Sequence, residues 1–134
     1  MKKIRKSVLK SFLFICLGLT VTTIVFAGVK SVATPPDPPG KPSAREVTTT
    51  GCLLEYKAPR NDGGLPVKSY VIECMILTWG WDRWELKGTS PELEYAVSYM
   101  VEGSKAIFRV RAENRAGVGQ PSKESDEITF EDPF

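Results

Sequence analysis

The chain has 134 residues, which leaves room for one domain and not for two. Its net charge of +2 is local, because residues 1–27 carry five basic side chains and no acidic one, so the remainder has 18 − 5 = 13 basic against 16 acidic, a net of −3. A mildly acidic domain with interspersed charges gives no electrostatic reason to expect nucleic acid. The chain has no histidine, which removes the commonest general base and metal ligand.

The first 27 residues have the pattern of a secretory signal peptide. A basic start ends at Lys10, an uncharged run follows over residues 11–29, and Val25 and Ala27 are small residues that suit cleavage before Gly28. The alternative is an uncleaved membrane anchor, because 19 uncharged residues are just long enough to cross a bilayer as a helix. Both interpretations predict a hydrophobic helix outside the folded domain, touching a membrane only through residues 11–29 if it stays uncleaved, with the domain exported.

Prolines dominate the next stretch. Dense prolines cannot supply ladder donors, so residues 28–41 are predicted to be an extended, semi-rigid linker before a domain at residues 42–134. A proline-rich ligand for an aromatic groove is the functional alternative, and a plain spacer is favoured. The prolines of this region are Pro35, Pro36, Pro38, Pro39 and Pro42.

The domain itself has the pattern of an all-β protein. Short runs of alternating polarity are separated by Gly, Pro, Asn and Asp, which is typical of a seven-stranded antiparallel immunoglobulin-like β-sandwich of about 100 residues. The predicted strands are residues 44–49, 52–56, 67–77, a short strand around 84–86, 94–99, a strand through 108–113, and a last edge strand at 123–130.

Alternation also predicts which side chains are buried. In the strand through residues 108–113, Phe108, Val110 and Ala112 point one way while Arg109 and Arg111 point the other. The predicted structural core consists of Leu54, Tyr56, Tyr70, Ile72, Trp84, Phe108 and Val110.

The outer face of the strand at residues 67–77 is apolar where polar residues are expected, and two tryptophans follow it. Exposed apolar clusters can mark contact surfaces. The alternative is that neighbouring loops, or the stems of the two arginines, cover these residues. The candidate protein-contact surface is Val71, Met75, Leu77, Trp79, Trp81, Arg109 and Arg111. Glu73 is predicted to pair with one of these arginines across the sheet.

No chemistry-bearing motif is present. No C-x-x-C sequence suggests a zinc or redox site, no phosphate-binding glycine loop precedes a helix, and nothing gathers carboxylates such as Glu92, Glu94 and Glu102 into a pocket. Cys52 and Cys74 are predicted to point inward from opposite sheets, where a disulfide is geometrically possible. We therefore expect no enzyme activity, no cofactor and no metal.

Four motifs of the sequence are informative together: D-P-P-G-K-P at 37–42, proline followed by D-G-G at 59–64, Y-V-I-E at 70–73, and F-R-V-R-A-E-N-R-A-G-V-G at 108–119. In this combination they resemble the fibronectin type III family, especially its tandem domains in titin, twitchin and myosin-binding proteins. The resemblance implies a non-catalytic structural or protein-binding module whose partners are other proteins, including neighbouring repeats if it sits in an array. The alternative is an accessory ectodomain module of a receptor or secreted enzyme. The muscle relatives are cytoplasmic, which conflicts with an exported leader.

Two positions depart from the pattern of this family, and the resemblance also bears on the two cysteines. Tyr56 stands where members usually carry a buried tryptophan, so its hydroxyl needs a partner. Ala106 stands where they carry a tyrosine, whose lost hydrogen bond alone costs about 0.5–1.5 kcal/mol unless Tyr95 or Tyr99 replaces it. Because the family normally lacks an inter-sheet disulfide, the resemblance favours two free buried thiols at the cysteine positions.

Overall fold

Residues 31–134 are described by the computed structural model, and residues 33–134 form one compact unit in which all regular structure is β. The strands are β1 Ser43–Arg45, β2 Cys52–Glu55, β3 Ser69–Ile76, β4 Glu85–Ser90, β5 Glu94–Val97, β6 Lys105–Asn114, β7 Gly117–Val118 and β8 Ile128–Thr129. They form two antiparallel sheets with the orders β1-β2-β5 and β4-β3-β6-β7, with β8 also paired to β6. The predicted antiparallel sandwich is confirmed.

The core lies between the two sheets and follows the predicted alternation. In β6 every second residue from Ala106 to Asn114 is buried, because a strand with period two turns one face to the opposite sheet. The ring of Phe108 meets that of Phe130 edge to face at 6.4 Å. Six of the seven residues predicted for the core are buried: Leu54, Tyr56, Tyr70, Ile72, Phe108 and Val110. The seventh, Trp84, is only half-buried and lies outside the core cluster.

Tyr56 fills the core position where the family carries a tryptophan, and its buried hydroxyl has a hydrogen-bond partner. Its ring packs against that of Tyr70 at 5.1 Å, and its hydroxyl donates a hydrogen bond to the carbonyl of Glu92 at 2.9 Å. Burial raises the pKa of Tyr56 to about 12, because the ionised phenolate is poorly solvated there. The partner that the sequence requires is therefore a backbone carbonyl.

The last edge of the sandwich differs from the predicted continuous strand at residues 123–130. On the side of β6 that faces away from β3, only β7 and β8 pair regularly, and two serines hold the segment between these two strands. The N–H groups of Ser122 and Ser125 donate to the carbonyls of Val110 and Phe108 at 2.8 Å, and the serine hydroxyls accept from the N–H groups of the same two residues at 2.9 Å. Hydroxyls thus replace carbonyls in the ladder, because the serines are three residues apart and a strand needs a period of two.

Residues 33–42, named here the proline segment, are held against the sandwich, contacts that the expectation of an extended, semi-rigid spacer did not include. The N–H groups of Thr34, Asp37 and Gly40 each donate a 2.9 Å hydrogen bond to carbonyls of the chain between residues 57 and 63. The spacing of three is the period of a polyproline II helix. Pro36, Pro39 and Pro42 are buried.

Asn114, the last residue of β6, fixes the proline segment to two loops. Its Nδ2 donates to the carbonyls of Thr34 at 2.8 Å and Asp62 at 2.7 Å, and its Oδ1 accepts from the N–H groups of Ala116 at 2.8 Å and Gly117 at 3.1 Å. The side chain is almost fully buried, and all its hydrogen-bonding groups have partners.

Two glycines make this close approach possible. A Cβ atom at Gly63 would collide with the carbonyl oxygen of Thr34, and one at Gly119 with that of Pro36. The sequence therefore leaves room for the backbone of the proline segment on both sides of Asn114.

Ala106, near the start of β6, stands where the family carries a tyrosine, and no other tyrosine takes the place of that ring. Ala106 is fully buried, and neither candidate tyrosine replaces the family's ring: the Tyr95 hydroxyl donates to the Lys87 carbonyl at 3.2 Å, and Tyr99 is 93% exposed. Tyr99 has a φ of 60°, where L-residues are disfavoured. This conformation turns the chain so that Met100 is buried and its N–H donates to the Thr50 carbonyl at 2.9 Å.

Cys52 on β2 and Cys74 on β3 are both buried and free, as the resemblance implies. Burial raises the pKa of each thiol to about 11, because the thiolate loses hydration. The predicted signal peptide or anchor, residues 1–27, lies outside the described residues, as does the start of the linker. Between residues 31 and 134, no helix has the length and apolarity needed to cross a membrane.

Candidate protein-contact surface

The outer face of the five-stranded sheet carries a partly buried charge network. The register places Val71, Glu73 and Met75 of β3 opposite Arg111, Arg109 and Ile107 of β6. The Oε1 atom of Glu73 accepts from the Nε atoms of both arginines, at 2.6 Å from Arg109 and 3.2 Å from Arg111. The predicted cross-strand pair is confirmed, and it involves both arginines.

Trp84 covers this network from the side of β4. The Arg109 guanidinium carbon lies 4.3 Å from the centre of the Trp84 ring, a cation–π geometry. Trp84 comes immediately before β4, and the register brings Cys74 opposite Glu85, so the ring reaches the outer face beside Met75. Its placement in the core was wrong because a ring on an edge strand can cover either face of a sheet.

Val71, Met75 and Leu77 are therefore half-buried, and Arg109 and Arg111 are mostly buried in their ion pairs. This pattern favours the alternative that arginine stems cover the apolar residues of this face. The outer face of β3 is a packed layer, and its apolar residues offer a partner little free surface.

The loop between β3 and β4 is different, because its two tryptophans are exposed. Trp79 is 46% exposed and Trp81 is 51% exposed, and their ring centres lie 5.4 Å apart with a tilt of 47°. Arg83 lies 5.9 Å from the Trp81 ring centre, and its Nε pairs with Glu85 at 2.9 Å. These two rings form an aromatic pair at the end of the molecule, named here the tryptophan pair.

Trp81 lines a small cavity of about 150 Å³ beside the inner face of β3. The exposed Leu86, the buried Cys74 and the half-buried Ile76 also line it. Leu86 is 69% exposed, and sequence reasoning missed it. The register shift between Ile72 and Glu73 places Leu86 opposite Glu73, and no local pattern reveals such a shift.

The candidate surface is thus divided by the structure. Val71, Met75, Arg109 and Arg111 belong to the packed outer face, whereas Trp79 and Trp81 lie in the loop, with Leu77 at the junction. Between residues 31 and 134, no group of three or more His, Cys, Asp or Glu side chains is placed to hold a metal ion.

Comparison with known proteins identifies this fold. The family model described as "Fibronectin type III domain" matches residues 37–128. The chain belongs to the fibronectin type III family. The match begins inside the proline segment, which agrees with the packing of that segment on the sandwich.

Among curated proteins, this fibronectin type III chain is similar to repeats of very large proteins. It is 34% identical over 91 residues to the titin homolog of Caenorhabditis elegans, covering 68% of this chain and a share of the relative that rounds to 0%. It is 32% identical over 91 residues to cardiac-type myosin-binding protein C of Gallus gallus, covering 67% of this chain and 7% of that protein.

Solved structures agree on the fold. A crystal structure of three successive titin domains aligns with a TM-score of 0.71 at 30% identity, covering 75% of this chain and 34% of that one. A titin module from human cardiac muscle aligns with a TM-score of 0.66 at 36% identity, covering 73% of this chain and 95% of that one. The chain spans less than a tenth of the curated relatives it matches, so it corresponds to one of their modules.

Proposed function

We propose that this fibronectin type III module is a non-catalytic protein-binding module and that the tryptophan pair is its principal contact. The observation that carries the proposal is two neighbouring tryptophan rings, each about half exposed, on a loop beside the exposed Leu86. Tryptophan is the residue most enriched at the energetic centres of protein interfaces, since it buries a large apolar area. The homologous repeats of titin and myosin-binding protein C support a structural or binding role.

The packed outer face plays a supporting part. The ion pairs of Glu73 hold β3 and β6 in register, and β3 leads directly into the loop that carries the tryptophans. Arg109 and Arg111 thereby position the tryptophan pair, whereas their own exposed area is small.

The test is a comparison of matched single variants. Photocrosslinking from position 82, an exposed position in the same loop, identifies a bound protein, and titration with that purified protein measures its affinity. We expect Trp79→Ala or Trp81→Ala to weaken binding by about tenfold or more, as typical for an aromatic hot spot, while the melting curve stays nearly unchanged. Leu93→Ala is the control, because Leu93 is a similarly exposed apolar residue on another surface. Equal affinity of the tryptophan and control variants would refute the proposal.

We further propose that the module works outside the cell, either secreted or membrane-anchored. The leader pattern of residues 1–27 supports export, whereas similarity to M-protein of striated muscle supports the alternative of a cytoplasmic, sarcomeric module. Mass spectrometry of the intact protein from separated cell fractions decides between them. A chain beginning at Gly28 in the medium indicates secretion, and a full-length chain in membranes indicates an anchor. Full-length protein in the cytosol would overturn export.

A further inference from the structure

A groove of about 480 Å³ runs along the edge of the sandwich opposite β4 and β5. One wall is β1 with its flanking residues, and the other is the chain from Ser125 to Pro133, which includes β8. The two walls belong to different sheets, so the groove is the open seam between them.

Both walls present free strand edges. In the part of the chain that the structure describes, β1 pairs only with β2, and β8 pairs only with β6. No backbone hydrogen bond joins β1 to the chain from Ser125 to Pro133. Unpaired strand edges are templates for the addition of another strand.

One strand can be added at this seam to the free edge of β1. Neighbouring strands in a sheet lie about 4.8 Å apart, packed sheets lie about 10 Å apart, and the free hydrogen-bonding groups of an edge point outward in the plane of their own sheet. An extended segment that pairs with β1 therefore runs alongside the chain from Ser125 to Pro133 and contacts it through side chains. At about 3.3 Å per residue, a segment of about five residues covers the three residues of β1 and one position on either side.

The residues that line the groove indicate which kind of peptide segment it would bind. The groove has apolar lining residues on both sides, including Ala44, Val47 and Ile128. Its charged residues are Asp126, Glu127 and Glu131 against Lys41, which gives a net charge of −3 + 1 = −2. The Nζ atom of Lys41 pairs with Asp126 at 2.9 Å across the groove, and both side chains are largely exposed. Such a pair contributes little and opens readily.

We propose that this groove binds an extended segment of a partner protein in which apolar residues alternate with lysine or arginine. The segment adds as a strand to the free edge of β1, alongside β8, so that its apolar side chains enter the groove and its basic side chains meet Glu127 and Glu131. Main-chain pairing supplies affinity, and the alternating side chains supply specificity, as in other β-strand additions. The groove is separate from the tryptophan pair, so this binding does not depend on the contact proposed above.

The experiment is an NMR titration of the ¹⁵N-labelled full-length chain with the capped peptide Lys-Val-Lys-Val-Lys. We expect saturable shifts confined to the amides of residues 41–47 and 125–131, and none with the capped peptide Glu-Val-Glu-Val-Glu. Charge reversal in the double variant Glu127→Lys/Glu131→Lys is expected to weaken binding at least about fivefold at low salt, because exposed charge pairs are screened as ionic strength rises.

The matched control is Glu92→Lys/Glu94→Lys, which changes the net charge equally at exposed positions on and beside β5, away from the groove. The control is expected to bind the basic peptide with less than a twofold change. Equal loss in both double variants would reduce the effect to net charge and overturn the proposal. Equal shifts with both peptides, or shifts outside the groove, would also overturn it. Shifts that follow protein concentration and not peptide would assign the seam to self-association and reject the proposed segment.

Discussion

At the scale of single residues, Tyr99 shows how local preference yields to tertiary structure. Tyrosine is a good strand former, and the sequence predicts a strand through residue 99. In the structure β5 ends at Val97, and Tyr99 takes a left-handed conformation with its side chain in solvent. This turn allows Met100 to be buried, and it leaves Tyr99 in a strained backbone conformation.

We therefore expect Tyr99→Gly to stabilise the domain. The left-handed conformation costs an L-residue about 1–2 kcal/mol, and the extra freedom of glycine in the unfolded chain costs about 0.5–1 kcal/mol, so the net gain is about 0.5–1 kcal/mol. Urea denaturation of the two proteins measures it. Tyr99→Ala is the control, because it removes the ring and keeps the strain. If the alanine variant gains as much as the glycine variant, strain is not the cause.

The scale of the element is best illustrated by the edge of the sandwich after β6. Here side chains make hydrogen bonds to backbone groups that a regular strand would make with its own backbone. They are those of Ser122, Ser125 and Asn114. Asn114 has the greatest reach, since one side chain ties the proline segment, the loop before β3 and the turn after β6.

Asn114→Ala is expected to lower the free energy of unfolding by roughly 2–3 kcal/mol, because it leaves several buried backbone groups without partners. Amide exchange of Thr34, Asp37 and Gly40 should accelerate more than that of β3, since these amides hold the proline segment.

Asn61→Ala serves as the matched variant. Asn61 is exposed, and its side chain makes one hydrogen bond, from the Gly63 N–H at 2.8 Å. Its loss should cost at most about 1 kcal/mol. Equal destabilisation in the two variants would mean that the hydrogen bonds of the Asn114 side chain stabilise the domain no more than an ordinary loop contact does.

Across the whole molecule, alternation was enough to predict the two-sheet architecture, because period two reports burial directly along each strand. The partners of Glu73 also followed, since β3 and β6 pair without a shift. The position of Trp84 did not follow, because it depends on the irregular pairing of β3 and β4. The packing of the proline segment was hidden too, since proline density indicates an extended chain and says nothing of what that chain contacts.

Thiols and phenols buried in the core couple stability to alkaline pH. Cys52 and Cys74 move from an ordinary pKa of 9.0 to about 11, and Tyr56 moves from 10.0 to about 12. In each case the unfolded chain loses its proton first, so stability is full below about pH 9 and falls as pH rises from 9 towards 12.

Urea midpoints measured between pH 7 and pH 11 should therefore decline above pH 9. The double variant Cys52→Ala/Cys74→Ala is expected to be less stable at pH 7, because it leaves small cavities, but to decline less steeply between pH 9 and pH 10. A slope unchanged by the double substitution would show that other groups cause the alkaline loss.

The docked proline segment also has a mechanical consequence. Ten residues lie folded back on the sandwich through three separate hydrogen bonds and one asparagine clamp. A pull on the chain ahead of residue 33 would meet these bonds one after another, before β1 is loaded. Their release would move the anchored end of the chain from Thr34 to β1 while both sheets stay intact. The segment is thus expected to detach under tension before the sandwich itself is loaded.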